Sequence, residues 1–390
     1  MSLLEDCQLE SKVLEVPHTG AQKDRFTNAL RTRNLRFRVH GQPESRHYCQ
    51  KCLRVYEDGK KVWVVVIDGV TVRCPCCGVH NCKIPLENNR HHFCPDHAAQ
   101  NKVCAVVGCH SSATSGSRTC TEASHQNVEH IYRERGQARF QLKEQLERAR
   151  VAHLNDAIAE DRELTELADV DDETEEFEVS GIPEPESQPT KKERIRAQFG
   201  RRRTHNEQIV VSPCGMIIGR ETFFGAEGVG SVIVRNLSLY PLTVLNNDQE
   251  MIRRIFHEDI KPDHVFFDNN CTLAKMVKDD PFFTDIGLTV DVFHFKSKHS
   301  VTDDFCQEHC NPAAYPELIS QDNKGWYFNS SIAEQTNVWL GGYHAICREM
   351  HVDKYTFFLD EMILRRNRMT NEKLMKEGQS PSRWPYQVDI

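Results

Sequence analysis

Between Cys49 and Cys120 this chain places ten cysteines, interleaved with histidines at the spacings that metal ligands take. Cys77-x4-Cys82-x11-Cys94-x2-His97 is one set of four soft donors, and Cys104-x4-Cys109-x10-Cys120-x4-His125 repeats nearly the same arithmetic. Upstream, Cys49-x2-Cys52 and Cys74-x-Cys76 form two further knuckles. Thiolate and imidazole donors in fours suit tetrahedral zinc, and sites with all four positions filled by protein are structural rather than catalytic. Twelve donors therefore predict about three zinc ions. Within the cluster the pairing stays open. A cross-braced arrangement, or Cys77 exchanged with Cys76, fits nearly as well, and His47, His80, His91, His92 and His110 are spare donors.

A second chemistry requires acids that converge. Asp268 ends the strand-like DHVFFD and precedes a polar exit, Asp291 lies in the strand-like GLTVDVFHF, and Glu334 stands near the start of a helix. Carboxylates at strand ends and on a neighbouring helix can hold two divalent ions, Mg2+ or Mn2+, that activate water for phosphodiester cleavage. Each acid has a plainer role open to it: a turn for Asp268, a solvent-facing strand position for Asp291, a capping box with Ser331 for Glu334. Further on, His294-x4-His299-x6-Cys306-x3-Cys310 offers either another zinc site or a packed core with reduced thiols.

The elements that would position these groups differ along the chain. Residues 1–41 read as a basic N-terminal arm, and residues 42–126 as the zinc-binding cluster. There VYEDGKKVWVVVIDGVTV suggests a hairpin with turns at Asp58-Gly59 and Asp68-Gly69, which together with the knuckles makes a zinc-ribbon plan. Residues 127–168 read as a charged helix carrying Arg133, Arg135, Arg139, Lys143, Arg148 and Arg150, suited to phosphate contact or to a solvated face. Residues 169–203 read as a linker, acidic and then basic from Lys191 to Arg203. Residues 204–368 read as an α/β domain, and residues 369–390 as a tail.

Charge and composition narrow the classes. The net charge of −8 is concentrated in Asp156–Glu186, so it does not exclude a nucleic-acid partner. The longest apolar run, Val62–Ile67, is too short to span a bilayer. The opening MSLLEDCQLESK lacks the basic-then-apolar pattern of a secretory leader, which favours an intracellular chain with metal-bound rather than disulfide-bonded cysteines. No small-molecule substrate is evident.

The block VIDGVTVRCPCCGVHNCKIPLENNRHHFCPDH, continued by KVCAVVGCHSSATSGSRTCTEASH, resembles the cysteine-cluster modules associated with fungal KDZ transposases. The segments VFFDNNC, VDVFHFKSKH, FCQEHCNPAAYPEL and NSSIAEQTNVWLGGYHAICREM resemble the back half of proteins that carry those modules. The resemblance implies a ribonuclease-H-like fold with a carboxylate triad. Its second acid stands in Asp-x-x-Cys, here Asp268 and Cys271, and its last acid lies on a helix before a tryptophan, here Glu334 and Trp339. The first aspartate should end an early strand. The strand IVVSPCGMII has no acid, which leaves Glu221 or Glu227 as substitutes. The implied function is a nuclear, transposon-derived, zinc-dependent DNA-binding protein that performs DNA cleavage and strand transfer if active, with chromatin or other transposase subunits as further partners. The alternative is a non-enzymatic zinc scaffold for chromatin or protein partners. A cross-braced ubiquitin ligase is a third class.

Overall fold

The computed structural model describes residues 24–152, 177–179, 195–225, 251–256, 260–298 and 302–383, with four isolated positions before residue 24; side chains at 139, 140 and 142–152 are excepted. It is a multi-helix α+β protein made of two compact units. One comprises Met1–Cys74 with Thr204–Ile390, the other Pro75–Arg203. The chain thus leaves the first unit, builds the second, and returns. The second unit spans Pro75–Arg203, whereas the sequence pattern set the zinc-binding cluster at residues 42–126.

The first unit opens with α1 (Thr27–His40), then β1 (Leu53–Val55) and β2 (Lys61–Val70). The hairpin turn at Asp58-Gly59 is present, and β1 pairs antiparallel with β2. The expected turn at Asp68-Gly69 is not. Asp68 lies opposite Ile209 in a continuous ladder, so β2 is no zinc ribbon but the central strand of a six-stranded sheet. Beyond the insertion follow β3 (Asn206–Val211), β4 (Ile217–Phe223), β5 (His264–Phe266) and β6 (Gly287–Thr289), giving the order β4-β3-β2-β5-β6. The first three of these strands are antiparallel neighbours, whereas β5 and β6 run parallel to β2 and to each other.

The composition of β2 follows from this position. Trp63, Val65 and Ile67 pack into one core; Val62, Val64 and Val66 pack into the other, on the opposite face. A strand buried on both faces reads as an unbroken apolar run without alternation. The second of these cores is covered by α6 (Ile332–Gly341) and α7 (Val352–Lys376), through Ala333, Leu340, Tyr355, Leu359 and Ile363. Three shorter helices, α3 (Asn270–Met276), α4 (Val292–Lys298) and α5 (Asp304–His309), follow β5 and β6.

The expected arm is a docked helix. Arg33 of α1 makes a buried ion pair with Glu361 of α7, and Arg31 pairs with Asp353. The stretch read as a tail is partly helical, since α7 continues to Lys376 and Ser382–Arg383 pairs with His47–Tyr48. No helix among the described residues is long and apolar enough to cross a membrane.

The second unit holds α2 (Ala123–Ala152) and the cysteine loops. The basic run expected as a linker end is part of this unit wherever it is described. Ile195–Ala197 pairs with Phe177–Val179, Ala197 is buried, and the Arg201 guanidinium donates to the Asn89 carbonyl. The acidic tract, apart from that short strand, lies outside the described residues, as do Lys191–Glu193, Glu227, Val229–Val234 and His299.

Candidate metal centres and a carboxylate edge

Three groups of four donors converge among the described residues: Cys77, Cys82, Cys94 and His97; Cys104, Cys109, Cys120 and His125; His47, Cys49, Cys52 and Cys214. The first two are the predicted sets. They are sequential along the chain, which overturns the cross-braced alternative. In the third, Cys74 and Cys76 are replaced by His47 and Cys214.

Local structure explains each group. Cys77 is followed by Gly78, whose N–H donates to the His92 carbonyl; a Cβ at that glycine would lie 2.8 Å from the Phe93 ring. This close crossing of two loops brings Cys77 to Cys94, and His97 sits on the 3-10 turn Pro95–Lys102 that begins directly after Cys94. In the second group Gly108, at φ 84°, closes the turn before Cys109, while α2 presents His125 from its first turn. In the third, Cys49 and Cys52 share a tight turn in which Leu53 N–H donates to the Cys49 carbonyl. Cys214 comes from the β3–β4 hairpin, where Gly215 takes φ 92° and Ser212 N–H donates to the Met216 carbonyl.

The spacing of the donor atoms tests whether zinc fits. Tetrahedral zinc with Zn–S near 2.3 Å and Zn–N near 2.0–2.1 Å places sulfurs roughly 3.8 Å apart and sulfur and nitrogen roughly 3.5 Å apart. The sulfur pairs stand at 3.6 Å (Cys49–Cys52), 3.8 Å (Cys82–Cys94) and 3.9 Å (Cys109–Cys120). His97 Nδ1 lies 3.5, 3.5 and 3.2 Å from Cys77, Cys82 and Cys94. His125 Nδ1 lies 3.6 and 3.3 Å from Cys104 and Cys120, and His47 Nε2 lies 3.3 Å from Cys214. All three groups fit a structural zinc ion. Burial pushes the Cys82 thiol up to about 12. Zinc takes the thiolate, so binding releases protons and its apparent affinity falls with falling pH. Metal analysis of the purified chain is expected to return three zinc ions, and two from Cys214→Ser. Three ions retained in that variant would remove Cys214 from the ligand set.

Cys74 belongs instead to the sheet. Its N–H donates to Thr204 Oγ1, its carbonyl accepts from Thr204 N–H, and its side chain is packed in the core under α7. Cys76 N–H donates to the Arg202 carbonyl. In the second potential soft-donor series, His294 turns to the acids described below. Cys306 is disulfide-bonded to Cys271, with Cys310 buried in the same cluster.

A buried acid braces the second zinc loop. Glu129 on α2 accepts from Ser117, Thr119, the Arg118 N–H and Arg133. Burial pushes its carboxyl up, but these donors outweigh burial and hold it at about 2. A depressed carboxylate stabilises the fold above its unfolded value, and the contribution is lost as pH falls from about 4.5 through about 2. Glu129→Gln is expected to cost the zinc unit about 2 kcal/mol at neutral pH. An unchanged melting temperature of the zinc-loaded Glu129→Gln protein at neutral pH would contradict this account.

The sheet register sets a row of acids at one edge. Val66, Phe266 and Thr289 are paired across β2, β5 and β6. Two residues further along each parallel chain stand Asp68, Asp268 and Asp291, on the face covered by α6. From α6, Asn337 Nδ2 donates to Asp68 Oδ2 at 2.7 Å and to the Gly69 carbonyl. One turn earlier on α6, Glu334 Oε1 lies 3.2 Å from His294 Nε2. The other nitrogen of His294 lies 2.7 Å from Asp268 Oδ1 and 3.5 Å from Asp291 Oδ1. Burial pushes the Asp68 carboxyl up to about 6; the Gly69 and Asn337 donors oppose this, while the charges of Asp268 and Glu334 add to it. Carboxylate oxygens are the donors a hard divalent cation takes, and here the His294 ring stands between those of Asp268 and Glu334.

The candidates do not stand equally. Asp268 and Glu334 flank the His294 ring, one at each nitrogen, and Asp68, expected to lie in a turn, stands on the same sheet edge. Glu221 is instead paired with Arg254. Asp291 is not within a strand. It caps α4, its Oδ1 accepting from the Phe293 and His294 N–H groups and its other oxygen facing Ser331.

The fold and sites define an α+β protein stapled by Cys/His clusters of zinc geometry. Residues 66–131 match the family described as the CxC6 like cysteine cluster associated with KDZ transposases, and the chain carries a KDZ-type cysteine cluster over that stretch. No curated protein and no solved structure matches the chain.

Proposed function

We propose that this chain is a nuclear, transposon-derived DNA-binding nuclease with a ribonuclease-H-like catalytic unit into which the zinc cluster is inserted. One observation carries the reading: Asp68, Asp268 and Glu334 share one edge of the sheet, on the strand, strand and helix that the KDZ resemblance requires. Asp268 is followed at the third position by Cys271, and Glu334 at the fifth by Trp339. Magnesium or manganese, when bound, supplies a Lewis acid and an activated water for phosphodiester cleavage and strand transfer. Asp68, Asp268 and Glu334 would hold it. Asn337 keeps Asp68 turned to the edge. Asp291 fixes α4 and, through it, the His294 ring between Asp268 and Glu334. The zinc cluster and basic segments would contact DNA, and chromatin or other transposase subunits would be further partners.

The other reading, a zinc scaffold without catalysis, draws its strength from the lack of an early-strand aspartate after residue 204, and Asp68 on β2 is a candidate for that place. The test is magnesium- and manganese-dependent nicking of DNA by the zinc-replete protein. Salt-sensitive DNA binding without nicking would favour the scaffold.

A further inference from the structure

Beside the acidic edge the surface carries a large apolar side chain that is left mostly exposed. Phe293, in the first turn of α4, is 66% exposed, although its neighbours in the chain are engaged at the site: Asp291 caps the helix and His294 is buried among the acids. The phenyl ring stands edge-on to the His294 ring, with centroids 5.9 Å apart. Lys296, one helical turn on, is exposed as well, so α4 presents an aromatic and a cation together. Across the edge, Val338 on α6 is 82% exposed, four residues after Glu334. Leaving such groups in water gains nothing for the fold. An aromatic with a nearby cation is the pairing that takes a single-stranded nucleotide, base on ring and phosphate on charge.

We infer that Phe293 stacks on an unpaired nucleobase next to the phosphate held at the Asp68–Asp268–Glu334 edge, with Lys296 contacting the phosphate of that nucleotide. The inference rests on the nuclease reading and adds to it a substrate preference. The strand being cut must be unpaired beside the scissile bond, either frayed at a terminus or with one base turned out. Stacking does not read hydrogen-bonding edges, so the preference is for an unpaired base rather than for a sequence.

The test uses the full-length, zinc-replete protein and DNA duplexes carrying 2-aminopurine, either paired or left unpaired in a one-base bulge. Binding is followed by fluorescence with calcium in place of magnesium, and nicking is followed in magnesium. Wild-type protein is expected to quench the unpaired probe and to prefer the bulged duplex. Phe293→Ala should abolish the quench and lower affinity for the bulged duplex about tenfold, and Phe293→Trp should retain both. Lys296→Gln should weaken bulged and paired duplexes alike and reduce the salt dependence by about one phosphate contact. Wild-type nicking accompanied by an undiminished quench in Phe293→Ala overturns the stacking role alone. Wild-type protein that neither binds nor nicks either duplex overturns the nuclease reading, and the stacking role with it.

Discussion

Asp68→Asn is expected to abolish magnesium-dependent nicking while leaving the fold and the zinc content intact. The amide matches the carboxylate in shape, keeps an oxygen for Asn337 while losing the acceptor for the Gly69 N–H, and removes a charge from a buried position whose carboxyl is already raised to about 6. The fold therefore has little reason to object, whereas the metal loses a ligand. A loss of several kcal/mol of transition-state stabilisation corresponds to about a thousandfold or more in rate. Asp268→Asn and Glu334→Gln should behave alike. Asp291→Asn should differ, costing about 1 kcal/mol of stability as a weakened cap and less activity than the other three. The pH dependence has a definite sign. A protonated carboxyl cannot ligate magnesium, so apparent magnesium affinity should fall as pH drops through about 6 and recover above it. Nicking by Asp68→Asn at the wild-type rate would dismiss Asp68 as the first acid of the triad.

Loss of one zinc ligand in the inserted unit should unfold that unit. Its apolar cores are small: Cys77, Leu86 and Cys94 around one site, and Cys104, Val106, Cys120 and Val128 with Ala197 and Phe199 around the other. Structural zinc contributes on the order of 10 kcal/mol or more in small metal modules. Cys94→Ser or Cys120→Ser is expected to make Pro75–Arg203 sensitive to protease at temperatures where wild type resists, and chelation should do the same. Resistance preserved after the loss of a zinc ion would mean that the loops hold themselves. By contrast, Cys214→Ser should destabilise the sheet unit, because the His47–Cys49–Cys52–Cys214 group ties the knuckle before β1 to the β3–β4 hairpin.

The sites differ in how far the sequence discloses them, and the reason is chain distance. The Cys77 and Cys104 groups each close within a short stretch and repeat one another, so spacing alone identifies them. Cys214 reaches Cys49 only after the sheet has formed, and no local pattern links the two. Cys74-x-Cys76 looked like a knuckle because thiols close in sequence usually are one. Here the segment that follows β2 carries the first thiol into the core. Asp68-Gly69 carried a turn signal, and a strand buried on both faces has no alternation to contradict it. With β2 assigned to a zinc ribbon, the first acid was sought after residue 204, where Glu221 is instead paired with Arg254. Asp291 was placed in a strand because GLTVDVFHF is rich in β-branched and aromatic residues. The strand ends at Thr289, and Asp291 supplies the cap that starts a helix instead.

The position of the inserted unit also governs how the chain can assemble. β2 is the most apolar strand of the sheet and emerges from the ribosome before either of its two long-range partners, β3 and β5. At about 5–20 residues per second, the wait lasts on the order of ten seconds, with an aggregation-prone edge exposed. Joining β2 to β3 across so long an unstructured loop carries a closure entropy of roughly 4 kcal/mol. Once Pro75–Arg203 has folded, the Pro75–Arg203 bridge and the Cys76–Arg202 hydrogen bond bring its two ends side by side. Most of that entropy is then already lost before β3 arrives. Metal capture by the nascent chain would thus set the order of events, with the insertion completed first and the sheet formed after it.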